Sequence, residues 1–293
     1  EMFVKNHIKD VIHEHLNRRS ANDINRNVFK LLMATAGIPE IRLTVAQRLE
    51  AWFSNPKLAR PALDLLLTLC ANCNEKDEEA IGHLIRLRYA FKTKAHNNYY
   101  GMCLKELVSR SIPTFDLVFR LILDNELSTA RNSNNFQLLV VIFQQNPDRA
   151  STVLAQRFLK FLYYRDDFHR ALRSVFREIS RHLRYEHINF ATFVSALLNE
   201  SRKFASSDEY AKLSEAIKNR ALGIIVDLVT MAVLLSVSPA VREAFSTTRP
   251  DRRDVIFNFQ IQIAKIHSEA LQWLKEEISK FSGVDVPKCF VEW

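Results

Sequence analysis

Five glycines in 293 residues narrow the fold more than any other feature of this sequence. The count is about a quarter of the roughly 7% average usage, and glycine is what strand bulges, tight hairpin turns and phosphate-cradling loops require. Rossmann and P-loop architectures therefore have nowhere to sit. Hydrophobic residues make up 47% of the chain, with 20 Phe among them, so there is ample apolar surface to offset the entropy of ordering and the chain is not disordered. Its length suits one elongated unit or two globular ones.

The apolar residues recur at helical spacing. Val45, Leu49, Trp52 and Phe53 form one stripe, Asn55-Pro56 breaks it, and a second stripe runs from Leu58 to Leu69. These two segments predict a helical hairpin whose faces are too apolar to stand alone in water, so neighbouring helices must cover both. The rest of the chain supplies such neighbours in series. A first helix spans 2–17, and Ser20 or Asn22 caps a second that stops at Gly37 before Pro39. Short helices follow at 80–87, after the polar stretch 92–98 at 99–108, and after Ser111-Ile112-Pro113 through Ile122. Asn132 to Asn135 is a loop ahead of an apolar run, Phe136–Phe143, that reads as helix rather than strand because its neighbours are helical and turn glycines are missing. Asn146-Pro147-Asp148 separates it from a helix at 153–164, and further helices follow Asp166-Asp167 and Asn189.

The organisation expected is a helical-repeat segment over 1–200, a loose linker over 201–209, and a long-helix segment over 210–293 that continues the same stack. About fourteen helices in pairs, recurring every 35 to 45 residues or so, describe an all-α solenoid of the HEAT or armadillo kind, with a compact helical bundle as the alternative. The apolar stretch Leu222 to Leu235 is shorter than the roughly 18 residues a membrane span needs and carries Asp227 in its middle, so it reads as a core helix.

Chemistry is scarce. Cys70-x-x-Cys73 could grip a metal, but Cys103, Cys289 and His83 supply no second pair at finger spacing, and a redox motif would need a βαβ setting. His13 and His15, two apart on a helix, point in different directions. No HExxH or GxSxG occurs, so neither an enzyme nor a cofactor or small-molecule substrate is expected. Four cysteines without a leader-like segment suit a reducing compartment, and a start at Glu1 rather than methionine suits a piece of a longer protein.

The net charge of +8 favours acidic partners. Its sharpest local expression is Arg170, Arg173, Arg177, Arg181 and Arg184, which at 100° per residue fall within roughly 80° of one another, opposite Phe168, Leu172, Val175, Phe176, Ile179 and Leu183. Such a ridge can bind an acidic protein segment or a phosphate backbone, or simply face solvent beside Asp166, Asp167, Glu178 and Glu186. Arg249, Arg252 and Arg253 form a second basic cluster in a loop. Trp273, among Ile263, Ile266, Ala270 and Leu274, reads as core.

Three stretches together resemble a known family. They are Gln47 to Trp52 with Asn55-Pro56-Lys57-Leu58 and Arg60-Pro61-Ala62; Asn125-Glu126-Leu127-Ser128 with Ala130-Arg131-Asn132 and Asn134-Asn135; and Phe259-Gln260, Gln262-Ile263-Ala264 and Trp273-Leu274. They are similar, in collinear order over about 38–278, to the conserved helical region in the N-terminal half of the Integrator complex subunit 1 family. The resemblance implies a nuclear, non-catalytic scaffold in the complex that associates with RNA polymerase II, processes small nuclear RNA 3′ ends and attenuates transcription. It implies partners among the other Integrator subunits, including the PHD-finger subunit. The alternative from the residues alone is a nucleic-acid-contacting module that uses the arginine ridge.

Overall fold

The computed structural model describes residues 2–18, 24–128, 136–161, 196, 199–200, 203–204 and 206–218. Every regular element among them is helical. In chain order these are α1 (Met2–Arg18), α2 (Arg26–Ala34), α3 (Pro39–Phe53), α4 (Ala59–Asn72), α5 (Glu78–Arg86), a 3-10 turn (Leu87–Ala90), α6 (Lys94–Ser109), α7 (Ile112–Ser128), α8 (Phe136–Phe143), α9 (Pro147–Phe161) and a single turn, α10 (Asp208–Ala211). Two compact units divide the chain, Glu1–Ile122 and Leu123–Trp293.

Within the first unit, α3 and α4 form the hairpin that the sequence predicts, and alternate helices stack on it. α1 and α5 pack on α3, while α2 and α6 pack on α4. This explains why both stripes are so apolar. Ala62, Leu65, Leu66, Leu69 and Cys70 of α4 are all 0% exposed, and α3 buries Ile41, Val45, Ala46, Leu49 and Trp52. Each fully buried leucine of this kind contributes about 2 kcal/mol. Trp52 meets Phe29 of α2 edge-to-face at 5.1 Å, and Phe91 after the 3-10 turn packs on Phe53 at 4.8 Å and Tyr100 at 5.2 Å. The Tyr100 hydroxyl lies 2.9 Å from the carbonyl oxygens of both Leu84 and Ile85, at the end of α5.

The helix starts depart from the periodicity reading at three places. Asn25, not Ser20 or Asn22, occupies the cap of α2, its side chain accepting from the Asn27 and Val28 amides. α2 ends at Ala34, with Thr35 as its C-cap donating its hydroxyl to the Leu31 carbonyl at 2.8 Å, and Gly37 does not adopt the left-handed conformation of a helix-ending glycine. α6 starts at Lys94 rather than Tyr99, because the Thr93 hydroxyl accepts from the His96 amide at 3.2 Å. The exposed residues 94–98 bury nothing, so apolar spacing does not register them. α9 starts at Pro147, ahead of the expected 153, with the Asn146 side chain accepting from the Arg149 amide at 3.2 Å and proline at its first position.

Polar contacts also tie the elements of the first unit. The Lys9 ammonium donates to Glu40 at 2.9 Å, joining α1 to α3, and this bond holds the Glu40 carboxyl below its ordinary pKa. Arg120 of α7 pairs with Glu78 of α5 at 3.0 Å. The Arg110 guanidinium donates to the Ala71 carbonyl at the end of α4.

In the second unit α8 packs on α9, burying Leu139, Ile142 and Phe143 against Ala150, Leu154 and Ala155. Phe136–Phe143 is thus a helix, as its neighbours imply. Arg157 grips both oxygens of Asp124 at 2.6 and 2.5 Å, and Gln156 donates to Glu200 at 3.0 Å. Within the stretch 201–209, the Ser207 hydroxyl caps α10 by accepting from the Tyr210 amide, and Phe204 meets Tyr210 edge-to-face at 5.4 Å. Among the described residues no helix is long and apolar enough to cross a membrane. The apolar stretch Leu222 to Leu235 lies outside them.

Candidate docking groove

Among the described residues no three His, Cys, Asp or Glu side chains are arranged to hold a metal ion. Cys70 and Cys73 of the CxxC pair are 0% exposed at the end of α4, and Cys103 joins them from α6. Burial pushes the Cys73 thiol up to about 12 and the Cys103 thiol to about 11, while Cys70 is raised well above its ordinary value by burial and by Cys103 beside it. Tyr99, whose hydroxyl donates to the Leu63 carbonyl at 3.2 Å, is pushed to about 12 by burial in the same seam. The three sulfurs act as small apolar filler between α4 and α6. Only the thiolate attacks an alkylating reagent. At pH 8, peptide mapping after brief iodoacetamide treatment is therefore expected to find Cys70, Cys73 and Cys103 unmodified in the folded chain and modified once denaturant is added.

A recess with chemical character lies at one end of the α3–α4 hairpin. Asn55 in the connecting turn accepts the Lys57 amide on its side chain at 3.0 Å, and its carbonyl accepts the Leu58 and Ala59 amides at 3.0 Å each. These bonds fix a tight corner, and Pro61 stiffens the first turn of α4 just beyond it. The head of α2 lies opposite, with Ile24 and Asn25 leading into Arg26. Between them is a groove of about 610 Å³ lined by Ile24, Phe29, Leu58 and Pro61 at its apolar base, and by Arg26, Asn55 and Lys57. That volume falls within the roughly 300–1,000 Å³ usual for binding clefts. Phe29 is held from behind by Trp52.

Among the described residues, the charged side chains that line the groove are both cationic. Arg26 and Lys57 are exposed, and neither pairs with a carboxylate among the described residues. The first turns of α2 and α4 contain no acidic residue, and Leu58 in the cap position of α4 makes no side-chain capping bond. Two helix N-termini with their partial positive charge therefore border the same recess. A second, smaller recess of about 230 Å³ between α1 and α2 is lined by Ile12, Leu16, Leu31 and Leu32, with His15 alongside.

The arginine ridge Arg170, Arg173, Arg177, Arg181 and Arg184 and the loop cluster Arg249, Arg252 and Arg253 lie outside the described residues, as does Trp273. The groove was not among the sequence expectations. Its lining comes from two separated stretches, at 24–29 and 55–61. The one local signal was the Asn55-Pro56-Lys57-Leu58 turn, legible as a helix break but silent about what faces it.

Comparison with known proteins places this chain in a family. A family model described as "Integrator complex subunit 1, RP2B-binding domain" matches residues 3–155, starting well ahead of residue 38, where the motif resemblance begins. The chain is 36% identical to Integrator complex subunit 1 of Mus musculus and 35% identical to that of Homo sapiens, each over 98% of its own length. Against that of Drosophila melanogaster it is 33% identical over 95%. It spans only 13–14% of the length of these relatives. With the family model covering more than half of its residues, this chain belongs to the Integrator complex subunit 1 family.

Proposed function

We propose that this chain is a non-catalytic docking segment of an Integrator assembly in the nucleus, and that its N-terminal helical part, residues 3–155, binds RP2B. The match of the RP2B-binding domain model to those residues carries the reading. The alternate-helix stacking of α1, α3 and α5 beside α2, α4 and α6 supports an α-solenoid of the HEAT or armadillo type. In this reading the solenoid continues to about fourteen helices, with 201–209 linking it to the long-helix segment 210–293. Such a stack offers long surfaces and no need for a reacting centre, which suits a scaffold serving small nuclear RNA processing and transcription attenuation. Other Integrator subunits, the PHD-finger subunit among them, are its further partners.

Capture of purified RP2B by the immobilised 293-residue chain tests this. RP2B should be retained above an unrelated helical protein of similar net charge, and a chain truncated after residue 161 should retain it too. Absence of retention by a chain that is helical by circular dichroism would reject the RP2B reading. The ridge Arg170 to Arg184 remains a candidate second surface on the strength of its spacing. Reversal of Arg173, Arg177 and Arg181 to glutamate should release an Integrator subunit if the ridge docks protein. If it only lowers nucleic-acid affinity at low salt, the ridge is a phosphate contact.

A further inference from the structure

We propose that the groove between the head of α2 and the α3–α4 turn is a docking site for an extended acidic segment of a protein partner, anchored by one apolar side chain. The recess is concave and its base is carbon: Ile24, Phe29 and Leu58, with Pro61 at the edge. These residues are 8%, 1% and 7% exposed for the first three, so the base offers a shallow seat for one side chain rather than a broad apolar face. The charged side chains that line the groove are both cationic. Arg26 and Lys57 line it and are exposed, and no described carboxylate neutralises either. The first turns of α2 and α4, both without acidic residues, add to that charge.

Charge complementarity selects the occupant. An apolar peptide would leave the two cations facing nothing, and a basic one would be repelled. A single-stranded nucleic acid would find phosphate partners but no exposed aromatic face for its bases, because Phe29 presents almost none of its ring. A peptide with carboxylates on both sides of one leucine or phenylalanine satisfies base and cations together. The turn is also pre-organised, since the Asn55 bonds fix the backbone that carries Lys57, which reduces the ordering cost of binding. This assignment stands on the groove and does not require that RP2B be the partner.

The test uses the full 293-residue chain with isotope-labelled Ile and Leu methyl groups, titrated with three short peptides and an oligothymidine. The first peptide has aspartates and glutamates flanking a central phenylalanine; the second has lysines in place of the acids; the third has serine in place of the phenylalanine. The first should shift the Ile24 and Leu58 methyl signals, and the other two should fail to do so at the same concentration. Arg26→Glu with Lys57→Glu, both at exposed positions and so expected to leave the remaining methyl spectrum intact, should weaken the first peptide by about tenfold or more. Added salt should weaken it in the unsubstituted chain, in keeping with exposed charge pairs. The proposal is overturned if those methyls stay still, if the lysine peptide binds as well, if charge reversal has no effect, or if oligothymidine moves the same signals more strongly.

Discussion

Replacing Arg42 by alanine is expected to destabilise the first unit by about 3–5 kcal/mol, because it strands a buried carboxylate. Arg42 on α3 is 5% exposed and Asp77 is 7%. One guanidinium nitrogen lies 2.9 Å from each Asp77 oxygen, and another donates to the Ala36 and Gly37 carbonyls at 3.2 and 3.0 Å. Asp77 also accepts the Asn74 amide at 2.9 Å. A single side chain thus fastens the α2–α3 connection, α3 itself and the head of α5. Its removal leaves the buried Asp77 carboxylate and the Ala36 carbonyl, and the half-buried Gly37 carbonyl, short of donors. Arg42→Lys should recover little, since an ammonium cannot serve both Asp77 oxygens and both carbonyls from one planar fork. The double replacement Arg42→Met, Asp77→Leu should cost much less than Arg42→Ala, because it removes the charge pair instead of orphaning half of it. Amide hydrogen exchange resolved to α3 and α5 measures this in the intact chain. If Arg42→Ala and the double replacement open these helices equally, the carboxylate is not the origin of the loss.

That clasp also marks where the sequence stops being legible. Asp77 reads as the last residue of a polar turn before a helix, the usual place for a capping carboxylate. It does occupy the cap position of α5, yet its side chain makes no capping bond there and turns to Arg42, 35 positions away. No local pattern carries a pairing at that separation. By contrast, the hairpin was readable because its determinants are local. Asn55-Pro56 ends α3 by turn chemistry, and Leu65, Leu66 and Leu69 repeat at the spacing that one helical face imposes. Helix starts fell between these cases. Ser20, Asn22 and Asn25 are all competent caps, and what singles out Asn25 is the position of Phe29 and Leu32, which must reach the core from the helix it starts.

The groove follows the same division. Its turn was legible and its opposite wall was not, since Arg26 and Phe29 reach Leu58 and Pro61 only through the packing of α2 on α4. For function, a stack of helices conceals a groove of this kind from motif reading. Chemistry that a motif concentrates in one segment is here distributed across neighbouring helices, each of which carries one or two ordinary residues.

Trp52→Ala is expected to destabilise the first unit by about 3–5 kcal/mol, the range for emptying a large buried aromatic site. Trp52 is 2% exposed, and its ring supports Phe29 edge-to-face at 5.1 Å. The effect should not be uniform. α2 has nine residues, too few to hold as an isolated helix, and owes its place to packing on α4 and on Trp52. Hydrogen exchange in Trp52→Ala should therefore accelerate more in α2 than in α4, whose face is also closed by α6. Trp52→Phe keeps an aromatic edge for Phe29 and should recover the part of the loss due to ring contact, about 0.5–1.5 kcal/mol. Because Phe29 lines the groove, Trp52→Ala should also abolish binding of the acidic peptide under conditions where α4 remains protected, while Trp52→Phe retains it. Equal acceleration of α2 and α4 would instead mean that the first unit opens as one cooperative block, with Trp52 supporting the whole core rather than the wall of the groove.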